Sequence, residues 1–129
     1  MTTRSRTILL VDDDALVRGT YEFAFKTAGY SVLVAGDGQK GLELLEGQIV
    51  DTAILDVFMP GQDGIETLLA IKRRFPSIKV IIMSGGGVRG HYDFLEAAMK
   101  LGADGIVRKP ISPQKLIAML ENDTLPKTA

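Results

Sequence analysis

Hydrophobic residues in this chain come in short, nearly unbroken runs. They fill residues 7–11, 31–35, 49–55, 78–83 and 105–107, and each run stops at a polar or glycine-rich break. A half-exposed strand alternates apolar and polar positions, whereas continuous apolarity predicts strands covered on both faces. Between and after the runs the apolar spacing changes to that of a helix. Leu16, Phe23 and Ala24 mark a first stripe, Leu42 and Leu45 a second, and Ile65, Leu68 and Leu69 a third. Leu95, Ala98 and Met99 mark a fourth, and Leu116, Ile117 and Leu120 a fifth. Strands alternating with helices in this way predict an α/β fold: a doubly wound, five-stranded parallel sheet, (βα)5, with right-handed crossovers.

The element ends carry matching chemistry. Asp37, Asp63 and Ser112 sit where helix N-caps belong, Asp14 reads as an acid at a helix start, Pro113 fits a first helical position, and Gly29 and Gly102 fit helix stops. His91 reads as a surface residue at a helix start, and Met59, Met83 and Met99 as core or edge filling. The βα units share a length but no recurring motif, so this is not a solenoid. A length of 129 residues suits one compact domain, drawn over 7–122, with a flexible arm at 1–6 and a frayed tail at 123–129.

Composition narrows the function by exclusion. Fifteen Lys and Arg against 16 Asp and Glu leave a net charge of −1, and no basic stripe interleaves with aromatics, which argues against nucleic acid as a direct partner. Without cysteine there is neither a disulfide framework nor a thiolate metal site. No apolar run approaches the roughly 20 residues of a membrane span, and no signal peptide is evident. The expectation is a cytoplasmic protein with no membrane contact.

In an open parallel sheet, ligands bind beyond the carboxyl ends of the strands. Those ends carry Asp12 and Asp13 after the first run, Asp56 after the third, Ser84 after the fourth and Lys109 after the fifth. Each has an ordinary reading alone: an acid favoured by a helix dipole, a turn serine, a solvated lysine. Together they bring three carboxylates, a hydroxyl and an ammonium to one edge. Carboxylates so gathered cannot all stay ionised without a cation, and a hard divalent ion such as Mg²⁺ takes one or two carboxylates and keeps waters. Asp56 is then free to attack phosphorus and form an aspartyl-phosphate, with Lys109 neutralising the transferring oxygens and Ser84 donating a hydrogen bond.

The chain resembles the receiver domain of two-component response regulators, of the chemotaxis-regulator type, over nearly its whole length. The resemblance is carried by "ILLVDDD", "AILDVFMPGQDGIE", "VIIMSG" and "GADGIVRKP", with Pro60 four residues and Gly64 eight residues after Asp56, and by Lys109-Pro110. It implies a flavodoxin-like sheet of strand order 2-1-3-4-5. It also implies Asp56 as phosphoacceptor, Asp12, Asp13, Asp56 and the Phe58 carbonyl as Mg²⁺ ligands, and Ser84 and Lys109 at the phosphoryl group. The Lys109-Pro110 bond is often cis in such domains, which would aim the lysine inward. The implied donor is a phosphohistidine on a sensor histidine kinase or histidine phosphotransfer domain. The implied output is a downstream protein on the fourth-helix, fifth-strand, fifth-helix face, from a stand-alone monomer or weak dimer. Such a chain is a signalling phosphoacceptor, not an enzyme beyond its own phosphorylation and slow dephosphorylation. Receivers commonly switch through Ser84 and an aromatic residue three before the lysine; here that position is Ile106.

Two other functions share pieces of this pattern. A haloacid-dehalogenase phosphatase would use Asp12 and Asp14 as its D-x-D pair, but "KPISPQKLIAML" lacks the further acidic pair it needs. A dinucleotide binder would use "GDGQKG" at 36–41, though Asp37 puts a carboxylate where a pyrophosphate should sit.

Overall fold

The structure is a computed structural model that describes residues 6–56, 62–85 and 91–122. Five strands, β1 (Thr7–Val11), β2 (Ser31–Ala35), β3 (Thr52–Asp56), β4 (Lys79–Gly85) and β5 (Gly105–Lys109), alternate with five helices. The helices are α1 (Ala15–Thr27), α2 (Gly38–Gly47), α3 (Gln62–Arg74), α4 (His91–Lys100) and α5 (Pro113–Asn122). All strand pairs are parallel, in the order β2-β1-β3-β4-β5. The chain winds outward from β1 to one edge and from β3 to the other, so the winding reverses between these two strands. That is where such sheets open a crevice at their carboxyl ends. Val11 pairs in register with Leu55, which sets Asp12 beside Asp56.

Side chains two apart along a strand share a face. Leu9, Val11, Ala53, Leu55, Val80 and Ile82 therefore point to one side, where Leu45, Leu68, Ile71 and Ala98 of α2, α3 and α4 cover them. Ile8, Leu10, Ile54, Ile81, Met83 and Val107 point to the other, under Tyr21 and Phe25 of α1 and Leu116 and Leu120 of α5. Burial on both faces explains why the strands read as unbroken apolar runs. Among the described residues, no helix is long and apolar enough to cross a membrane.

Several expectations need correction. The third strand begins at Thr52, not at 49; Ile49 is 84% exposed, and Asp51 is turned to capping a neighbouring strand. The fourth runs over 79–85 instead of 78–83, and the fifth continues to Lys109. On α1 the inward face is Val17, Tyr21 and Phe25, spaced by four, while Leu16 and Phe23 are 80% and 74% exposed. Both stripes fit a helical period, and only contact with β1, β2 and α5 chooses between them. Asp63 is the second residue of α3, not its N-cap.

The remaining caps are as expected. Asp14 Oδ1 accepts from the Leu16 and Val17 N–H groups at 2.9 and 3.2 Å, Asp37 Oδ1 from Lys40 N–H at 2.8 Å, and Ser112 Oγ from Lys115 N–H at 3.1 Å. Gly29 and Gly102 end α1 and α4 with φ of 102° and 111°, a conformation that suits glycine. Met59, residues 86–87 of the glycine-rich loop and the tail at 123–129 lie outside the described residues.

Candidate functional site

The carboxyl end of β1 delivers Asp12 into the crevice with every polar side of it engaged. Its N–H donates to the Ala35 carbonyl at 3.0 Å, extending the β1–β2 pairing by one residue. Its carbonyl accepts from Arg18 Nη1 at 2.7 Å, and its Oδ1 accepts from Asp14 N–H at 2.9 Å. Asp14 is thereby the helix cap, while Asp12, only 1% exposed, faces the site. Asp56 arrives from β3 and Lys109 from β5. The Lys109 ammonium lies 2.6 Å from Asp56 Oδ2 and 3.3 Å from Asp12 Oδ2. Asp13 stands at the exposed rim, and one carboxylate oxygen from each of Asp12, Asp13 and Asp56 falls within 4.8 Å of the others.

Among the described residues, Lys109 contacts Asp56 and Asp12 and can offset only one of the three carboxylates. Burial above all, with Asp12 adding to it and Lys109 opposing, leaves the Asp56 carboxyl raised to about 6. For Lys109, burial works against the ammonium, but its hydrogen bond and charge contact with Asp56, reinforced by Asp12, leave it above the ordinary lysine value. Three oxygen donors of this hardness suit a small divalent cation, and the residual negative charge favours one. Ser84 is buried at the end of β4, one residue past Met83, which pairs with Asp56. The Lys109–Pro110 peptide is cis. Phe58 and Pro60 lie outside the described residues.

A family model of the response regulator receiver domain matches residues 8–121. The chain belongs to this receiver family. Among curated relatives, the transcriptional regulatory protein FixJ of Bradyrhizobium diazoefficiens is 37% identical over 95% of this chain and 58% of its own length. The transcriptional regulatory protein CpxR of Escherichia coli is 34% identical over 88% of this chain and 47% of its own. The chain therefore spans about half the length of these relatives. The crystal structure of a CheY-like receiver domain protein from Methanospirillum hungatei superposes with a TM-score of 0.80 at 27% identity, covering 93% of this chain and 94% of that one.

Within the receiver, "GDGQKG" has a packing explanation that leaves no need for a nucleotide. Asp37 caps α2, and a Cβ on Gly41 would come within 3.0 Å of Val11 Cγ2, so glycine there lets α2 lie close on β1. A Cβ on Gly36 would come within 3.3 Å of Arg18 Nη1, the same guanidinium that holds the Asp12 carbonyl. Ile106 is a buried core residue on the α2–α4 side of the sheet.

Two residues at the site escaped the sequence reading. Arg18 braces the Asp12 backbone, and Tyr21 donates its hydroxyl to the Ile111 carbonyl at 2.6 Å. Both partners are main-chain carbonyls, which leave no side-chain signature. Burial raises the Tyr21 phenol above its ordinary pKa; Lys109 opposes this, while Asp12 and Asp56 add to it.

Proposed function

We propose that Asp56 is the phosphoacceptor of this receiver and takes its phosphoryl group from a phosphohistidine on a histidine kinase or phosphotransfer domain. The observation that carries the reading is the 2.6 Å contact between Asp56 Oδ2 and Lys109 within a three-carboxylate cluster. In the transfer, an Asp56 carboxylate oxygen attacks phosphorus. The O–P bond forms as the P–N bond breaks, and the electron pair returns to the imidazole nitrogen, which is protonated from solvent. A Mg²⁺ ion held by Asp12, Asp13 and Asp56, and by the Phe58 carbonyl, would supply Lewis-acid neutralisation of the phosphoryl oxygens. Lys109 then exchanges its contact with the carboxylate for one with a phosphoryl oxygen, and the Ser84 hydroxyl donates to a second. Hydrolysis returns inorganic phosphate and the free carboxylate.

A kinase-derived phosphoryl group puts the chain in the cytoplasm, where ATP is available. Output through a partner on the α4–β5–α5 face belongs to the same proposal, with Ile106 in place of the usual aromatic reporter. Incubation with Mg²⁺ and acetyl phosphate should introduce one hydroxylamine-sensitive phosphate per chain. Asp56→Asn should abolish it; labelling of that variant to the wild-type level would overturn the assignment.

A further inference from the structure

Tyr21 has no part in the chemistry above, yet it joins the site's cationic arm to α1. Its ring is buried against Phe25, with centroids 6.0 Å apart, in the cluster that holds Leu10, Met83 and Val107. Leucine or phenylalanine would satisfy that apolar setting as well. The hydroxyl adds something different, a 2.6 Å hydrogen bond to the Ile111 carbonyl, 90 residues along the chain. Ile111 lies two residues beyond Lys109, where the chain leaves the sheet. β5 is an edge strand held on one side only, by β4, with Lys109 in register with Gly85. The Tyr21 bond restrains the same segment from the α1 side. Three residues earlier on α1, Arg18 braces the Asp12 carbonyl at 2.7 Å. Positions three apart share a helix face. One face of α1 therefore fastens both the carboxylate arm and the lysine arm of the site.

We propose that Tyr21 is a positioning residue for Lys109: by tying the Ile111 carbonyl to α1, its hydroxyl holds the lysine ammonium in contact with Asp56 for phosphoryl transfer. This rests on Asp56 being the phosphoacceptor. A lysine stem is flexible, and a cation that acts on a developing charge works best when its position is fixed beforehand.

A double-mutant cycle tests the proposal. Tyr21→Phe keeps the ring and removes the hydroxyl; Lys109→Ala removes the group to be positioned. Initial rates of phosphorylation by acetyl phosphate are measured at saturating Mg²⁺, with the half-saturating Mg²⁺ concentration and the thermal midpoint recorded for each variant. Tyr21→Phe should slow phosphorylation about fivefold, the size expected for one neutral hydrogen bond, and leave half-saturating Mg²⁺ unchanged. In the Lys109→Ala background the same change should have no further effect. Tyr21→Leu, also lacking the hydroxyl, should repeat both results. A wild-type rate in Tyr21→Phe, or a further fivefold loss on top of Lys109→Ala, overturns the positioning role. Full labelling of Asp56→Asn would instead sink the phosphoacceptor reading itself, so the two failures are told apart.

Discussion

At the amino ends of the strands, Asp51 Oδ2 accepts from the Thr7 N–H and Asp104 Oδ2 from the Val80 N–H, each at 2.8 Å. Lys72 completes the second contact at 2.5 Å from Asp104 Oδ2. At the carboxyl ends, Asp12, Asp13 and Asp56 gather within 4.8 Å of one another, and Lys109 contacts Asp12 and Asp56. The difference follows from the polarity of a parallel sheet. All its amino ends present N–H donors at one rim, where a carboxylate finds a backbone partner and acts as a clamp. All its carboxyl ends present C=O acceptors, so a carboxylate there takes its donors from a helix start, as Asp14 and Asp37 do, or from a cation, as Asp12 and Asp56 do from Lys109. The same residue type clamps strands at one rim and, at the other, either caps a helix or builds the site.

The largest expected contrast is in transfer chemistry. Lys109→Ala should lower the rate of Mg²⁺-dependent phosphorylation by about a hundredfold, the order found when one charge-stabilising donor is removed, whereas Lys72→Ala should leave it within about twofold. Acetyl phosphate labelling of the two variants side by side decides this. Comparable losses in both would mean that the rims are not separate in function.

Metal dependence should divide the rims next. At about one hundred times its dissociation constant, Mg²⁺ should raise the unfolding free energy by about 2.7 kcal/mol, and chelation should reverse the gain. Asp12→Asn should lose most of that response in thermal or urea melts, and Asp104→Asn should keep it.

In metal-free protein, removing a charge should have opposite signs at the two rims. At neutral pH, Asp56→Asn should stabilise the fold by about 1–3 kcal/mol, because a carboxyl displaced from 3.8 to about 6 is held in its disfavoured ionised form. Asp51→Asn should cost about 1 kcal/mol through a weakened contact with the Thr7 N–H. The pH dependence carries the same sign. Between about 3.8 and about 6 the folded state keeps a proton that the unfolded chain gives up, so wild-type stability falls as pH rises through that window. Urea melts across the window should show this fall in wild type and its absence in Asp56→Asn.

The smallest effect should come from Lys72→Ala, which removes a partly exposed ion pair. A loss under about 1 kcal/mol in urea melts is expected.

The carboxyl rim was readable before the structure because its residues fall within two positions of the ends of apolar runs. A strand ending in Asp12, Asp56 or Lys109 must deliver that side chain to one edge of a parallel sheet. The amino rim was not readable: extending the third run back to residue 49 hid Asp51 inside a strand, and no local period distinguishes a carboxylate that will meet a strand N–H in space. The face of α1 escaped for a related reason. Leu16 with Phe23 and Val17 with Tyr21 and Phe25 both fit a helix, and the choice came from packing on β1, β2 and α5.

The periodicity of side-chain polarity thus determined by itself that this chain forms five βα units, since burying apolar runs and helical stripes allows few other arrangements. Motif resemblance added the strand order. Tertiary structure alone decided that Arg18 meets the Asp12 carbonyl and Tyr21 the Ile111 carbonyl. Every residue carries the same backbone acceptor, so nothing in a sequence marks the one a distant donor will reach until the fold has brought them together.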